Sequence, residues 1–109
     1  MADKPANAWD WTLADPTAFA APGDKVFTVN DAGCFGQVTF RNEGTVGDWW
    51  LYIGTNAVAN TKYIIRVEPG IPVTLEETGV LVGDYYAVHD NPADPNAGSL
   101  HIFASWRNK

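Results

Sequence analysis

Gln37-Val38-Thr39-Phe40-Arg41 alternates polar and apolar residues, with Val38 and Phe40 on one side and Gln37, Thr39 and Arg41 on the other. A period of two marks a half-buried β-strand, because successive side chains leave a strand on opposite faces. The same reading extends outward from this stretch. Lys25 to Asn30 sets Val26 and Thr28 against Phe27 and Val29, and further strands are expected at residues 48–54, 61–68, 71–77, 83–89 and 99–106. Turn formers separate them: Asp31-Ala32-Gly33, Glu43-Gly44, Thr55-Asn56, Glu68-Pro69-Gly70, Thr78-Gly79, and a longer loop from Asp90 to Gly98 containing Pro92 and Pro95. Seven closely spaced strands without crossover helices predict an all-β fold, an antiparallel β-sandwich or small β-barrel.

Glu68-Pro69-Gly70 carries its own geometry. Pro fixes φ at the second turn position and Gly supplies the positive φ needed at the third, which predicts a type II turn. Residues 61–68 and 71–77 are therefore expected to pair as a hairpin, with Pro72 marking an edge or an unpaired position.

The chain has 109 residues, 46% hydrophobic and 13% aromatic, which suits one domain with a single core. Its net charge is -6, from 13 acidic and 7 basic residues. Lys4, Lys25, Arg41, Lys62, Arg66, Arg107 and Lys109 are mostly scattered singly, whereas a phosphate backbone selects clustered cations, so no nucleic-acid partner is expected. No basic segment followed by an apolar run opens the chain, and no stretch approaches a membrane span, so neither a secretory leader nor a membrane partner is expected. Cys34 is the only cysteine, which excludes an internal disulfide and a cysteine-rich zinc site; it reads as a small apolar residue.

Residues 1–24 are rich in Ala, Pro and Asp and read as an N-terminal arm, with residues 25–109 as the β-domain. Asp15-Pro16-Thr17-Ala18-Phe19 suits a short helical turn with Asp15 as its cap. Trp9, Trp11, Leu13 and Phe19 give the arm an apolar set expected to pack on its own domain or on a neighbouring subunit.

Residues for chemistry are few. His89 and His101 lie on the last two expected strands, and pairing those strands about the intervening loop would set the imidazoles opposite each other, with Asp90 as a third group. A metal centre needs three or four ligands in defined geometry, and the reading is of two solvated or hydrogen-bonded histidines with no metal and no cofactor. Asp90, Asp94 and Asn96 lack the regular oxygen spacing of a calcium loop. Glu76 and Glu77 leave a strand on opposite faces and cannot flank one substrate bond. No nucleophile triad, phosphate loop or His-Glu-x-x-His occurs, and the chain is not expected to be an enzyme.

The aromatic residues carry more. In Trp49-Trp50 and Tyr85-Tyr86 adjacent rings must go to opposite sheet faces, and only one face is core. The outer rings, with Trp106, are expected to form a subunit interface, where Trp and Tyr are enriched, or else a stacking platform for sugars.

The ordered succession Phe40-Arg41-Asn42, Leu51-Tyr52-Ile53-Gly54, Ile65-Arg66-Val67-Glu68-Pro69-Gly70 and Gly83-Asp84-Tyr85-Tyr86-Ala87-Val88 resembles small β-domains of tailed-bacteriophage virion structural proteins. The resemblance covers about two thirds of the chain. It implies a virion part made in the host cytoplasm. With the acidic charge, the expectation is a capsid decoration (cement) protein on the head exterior. It would form a homo-oligomer, most simply a homotrimer, that contacts the major capsid protein or another virion protein. A glycan- or receptor-binding module of a phage fibre or spike is the alternative.

Overall fold

The structure is a computed structural model and describes residues 8–16, 24–29, 35–76 and 83–106. Among the described residues eight strands make the fold: β1 (Ala8–Ala14), β2 (Asp24–Val29), β3 (Phe35–Asn42), β4 (Trp49–Ile53), β5 (Ile65–Val67), β6 (Val73–Glu76), β7 (Gly83–His89) and β8 (Leu100–Trp106). They form two four-stranded sheets, β1-β8-β3-β6 and β2-β7-β4-β5, with every strand pair antiparallel. The pairs β1–β8, β2–β7, β3–β6 and β4–β5 are nested, as though the chain doubled back at the β4–β5 connection. Pairing of β3 with β8 and of β4 with β7 then rolls that doubled ribbon into two sheets. This is the strand order of an eight-stranded jelly roll, a β-sandwich. Among the described residues no helix is long and apolar enough to cross a membrane.

The core lies between the sheets. Val38 and Phe40 of β3 and Leu100 and Ile102 of β8 face Trp49 and Leu51 of β4, Ile65 and Val67 of β5, and Tyr85 and Ala87 of β7. Each set skips alternate residues, so the period of two visible in Gln37 to Arg41 is the core pattern itself. Full burial of each large side chain contributes about 1.5–3 kcal/mol.

Two expectations change at this level. Residues 8–14 are not part of a separate arm: β1 runs beside β8 in unbroken register from Ala8↔Trp106 to Ala14↔Leu100. Residues 17–19 of the expected helical turn lie outside the described residues. The second correction concerns Glu68-Pro69-Gly70. The turn forms as read, with the Ile71 N–H donating to the Glu68 carbonyl at 3.1 Å and Gly70 at φ +78°. Yet β5 and β6 do not pair. They belong to different sheets, and the turn carries the chain from one to the other. Pro72 has no N–H with which to extend the ladder beyond the single Glu68↔Ile71 bridge. Asn42 occupies the place a hairpin partner would take: its side-chain NH2 donates to the carbonyls of Val67 (3.2 Å) and Gly47 (2.9 Å), and its Oδ1 accepts the Gly44 N–H at 2.9 Å.

At one end of the sandwich, loops 43–48 and 90–99 touch backbone to backbone. A methyl carbon on Gly44 would lie 2.2 Å from the Gly98 nitrogen, and one on Gly98 would lie 2.0 Å from the Gly44 nitrogen. Gly44→Ala or Gly98→Ala is therefore expected to cost about 3 kcal/mol, the upper range for overpacking, since backbone rather than a side chain must yield. Gly54→Ala serves as comparison: nothing lies within 4 Å of the added carbon, and only its φ of +91° opposes it, so about 1 kcal/mol is expected. Urea denaturation of the three variants measures both values.

Candidate interaction surface

The adjacent tryptophans do go to opposite faces, but neither ring is free. Trp49 points into the main core, and its indole N–H donates to the Gly98 carbonyl at 2.9 Å. Trp50 lies on the other face of the same sheet and is only 3% exposed. The expectation of an outward, uncovered ring is corrected: loop 54–64 folds over that face and builds a second small core of Trp50, Ala57 and Val88, flanked by Tyr52 and Ala59. Tyr63 meets the Trp50 ring edge-on at 4.6 Å, and the Arg66 guanidinium lies 5.0 Å from the Trp50 ring centre. The Trp50 indole N–H donates to Asp90 Oδ2 at 3.0 Å. Asp48 holds Arg66 in turn, with Nε and Nη2 at 2.8 and 2.7 Å from Oδ2, and this hydrogen-bonded carboxylate raises the guanidinium's pKa above its ordinary value. Tyr85 is buried near Phe40, and Tyr86 is half-buried opposite Tyr52.

The two histidines are likewise apart. β7 and β8 belong to different sheets, so the expected facing of His89 and His101 is corrected. Ten residues, 90–99, arch between the sheets, and a long connection between neighbouring strands does not force a hairpin. Among the described residues no three His, Cys, Asp or Glu side chains gather as a metal would need. Asp94 instead accepts the Asn96 N–H at 2.8 Å in a local turn.

What the structure assembles is the outer face of the β1-β8-β3-β6 sheet. Leu100 and Ile102 are buried whereas His101 and Phe103 are half-buried, so the odd-numbered residues of β8 mark the outer side. Directly paired residues of antiparallel strands share a face. The register pairs Leu13 with His101, Trp11 with Phe103 and Trp9 with Ser105. Asp10 and Thr12 pair with Ala104 and Ile102. On the other flank of β8 come Arg41 and Thr39, with Thr39 hydrogen-bonded to Thr74 at 3.0 Å. Arg41 Nε donates to Glu43 Oε2, the Arg41 guanidinium lies 5.1 Å from the Phe103 ring centre, and the His101 and Phe103 rings are 4.2 Å apart. His101 Nδ1 is 3.3 Å from Glu43 Oε2. The hydrogen bond from Arg41 holds the Glu43 carboxyl below its usual range, against a smaller opposing effect of burial.

Of the expected interface residues, Trp9, Trp11 and Leu13 lie on β1, in register with Ser105, Phe103 and His101. Trp49, Trp50 and Tyr85 are buried in the chain, Trp106 stands at the far end of β8 opposite Ala8, and Phe19 lies outside the described residues. Sequence reading missed the exposed apolar side chains of Val58, Tyr63 and Ile64 in the loop over Trp50, and of Ile71 after the type II turn. Val58-Ala59-Asn60-Thr61-Lys62 closes through reciprocal Val58 and Lys62 backbone hydrogen bonds, with Asn60 at φ +58°. Asn in a left-handed conformation was the signal available for that turn. The chain matches no family model and no curated protein.

Proposed function

We propose that this chain is a virion structural protein, a capsid decoration protein of a tailed bacteriophage that assembles with copies of itself, most simply as a trimer. The observation that carries the reading is the register of β1, which pairs Trp11 and Leu13 with Phe103 and His101, the half-buried residues on the side of β8 away from the core. A strand ordinarily brings its apolar set into register with the core side of its neighbour, and this register brings Trp11 and Leu13 to the other side. A neighbouring subunit or the capsid surface gives the apolar row a partner. The jelly-roll order supports the reading as the architecture of many viral capsid domains. The resemblance of the segments from Phe40 to Val88 to phage virion domains supports it too. The net charge of -6 suits the outside of a head rather than its packaged DNA.

Sedimentation velocity at micromolar concentration tests this, with a trimer expected. Trp11→Ala is expected to weaken association by on the order of 2 kcal/mol, as removal of an aromatic anchor does. A monomer that also fails to bind heads would overturn the proposal. A second reading, a glycan-binding module, draws on the same face, where the half-buried Phe103 lies between aromatic and hydroxyl-bearing strands and the fold is also that of lectins. Glycan-array retention by the monomer, lost in Phe103→Ala, would select it.

A further inference from the structure

His89 ends β7 with a ring that is 1% exposed and meets Trp49 edge-on at 5.2 Å. Its Nδ1 accepts the backbone N–H of Asn91 at 3.0 Å. An accepting Nδ1 is unprotonated, so the neutral ring carries its hydrogen on Nε2. Nε2 is buried and, among the described residues, no acceptor meets it in hydrogen-bonding geometry. Gly47 covers it: a methyl carbon there would lie 2.4 Å from His89 Cε1 and 3.0 Å from Nε2. The ring cannot swing outward unless loop 43–48 moves.

That loop is fastened to loop 90–99 around the same ring. Glu43 N–H donates to the Ser99 carbonyl (2.9 Å), Thr45 N–H to the Asn96 carbonyl (3.0 Å), and Asp90 N–H to the Asp48 carbonyl (3.2 Å). Asp48 N–H donates back to Asp90 Oδ1 at 3.0 Å.

We propose that His89 is an acid-sensitive latch: neutral, it holds loops 43–48 and 90–99 together at this end of the sandwich, and protonation at Nδ1 releases them. A proton on Nδ1 would turn the acceptor of the Asn91 N–H into a second donor facing it. The same proton would place a charge against the edge of Trp49 in the core. The groups that face the ring pull the other way: the carboxylates of Asp90, Asp48 and Asp94, and the Val46 backbone. Asp48 is already engaged by Arg66, and Asp90 by Trp50 and the Asp48 N–H. Burial outweighs these groups and holds the imidazole below its usual range. The sign follows. An opened ring binds a proton near its ordinary value of about 6.5, and the closed ring binds one only at lower pH. The latch is intact above about 6.5 and weakens as pH falls from there toward the closed-state value.

Hydrogen exchange of the full chain between pH 7.5 and 5, corrected for intrinsic rates, reads the opening. Protection of the Asn91, Asp90, Thr45 and Val46 amides is expected to fall about tenfold per pH unit below the ordinary imidazole value, while the Leu51 and Ala87 amides keep theirs. Nitrogen shifts of His89 should show the Nε2–H form at pH 7.5. His89→Asn, which retains an acceptor near Nδ1, and His89→Phe, which retains a ring on Trp49, should each remove the pH dependence; either one folding suffices. Loss of protection in wild type that is uniform across both sheets, persistence of the pH dependence in a folded variant, or an Nδ1–H ring at neutral pH would overturn the latch.

Discussion

A chain that begins at Asp15 is expected to lose cooperative folding, or to retain less than half the urea midpoint of the intact protein. β1 gives β8 seven consecutive paired positions. At about 0.5–1.5 kcal/mol net per hydrogen bond, such a ladder is comparable with the ~5–15 kcal/mol that hold a whole domain together. The loss also reaches inward. β8 supplies Leu100 and Ile102 to the core, both fully buried, and is an interior strand only while β1 flanks it. Bare β8 would become a seven-residue sheet edge, a template for pairing with another chain, so soluble aggregates should accompany the loss of stability. Urea unfolding followed by circular dichroism, with size-exclusion chromatography of the same sample, measures both effects. A truncated chain with an unchanged midpoint would mean that β1 contributes nothing to the sandwich.

The strand signal of residues 8–14 is hidden by its surroundings. Trp9-Asp10-Trp11-Thr12-Leu13 has the strand period of two, the same signal that revealed β3. Ala and Pro dominate the composition around it and only five residues carry the alternation, so the composition points to an arm instead. Strand positions elsewhere were legible, as were the turn type at Glu68-Pro69-Gly70 and the all-β class. Strand partners were not. A type II turn satisfies its own φ and hydrogen-bond demands whether it closes a hairpin or arches between sheets, so Pro69 and Gly70 could not say which. The same ambiguity misplaced His101 opposite His89. Period-two reasoning also assigns Trp49 and Trp50 to opposite faces without revealing that loop 54–64 covers the second, because that cover is made by residues with no regular pattern, such as Ala57 and Tyr63. The outer face of the β1-β8-β3-β6 sheet lay beyond sequence reading for a related reason: it exists only once the first and last strands meet.

Trp49→Ala is expected to cost about 3–5 kcal/mol, the range for emptying a large aromatic site in a core, and Trp50→Ala clearly less. The difference rests on where each ring lies. Trp49 is fully buried between the sheets, packs against His89, and gives its indole N–H to Gly98, so its removal leaves a cavity and frees loop 90–99 together. Trp50 sits in the smaller cluster, where one covering residue, Tyr63, is 42% exposed and able to settle into the vacated space. Trp49→Phe separates the two contributions at the first site. It keeps most of the apolar area but leaves the Gly98 carbonyl without its indole donor, a loss of about 1–3 kcal/mol. Urea unfolding followed by far-ultraviolet circular dichroism ranks the three variants without relying on the fluorescence of the residues removed. Limited proteolysis adds a positional check: Trp50→Ala should open loop 54–64 to cleavage, and Trp49→Ala should open loop 90–99. A larger loss for Trp50→Ala would reverse the assignment of inner and outer faces to the β2-β7-β4-β5 sheet, since both residues sit on one strand one position apart and only the face each occupies distinguishes them.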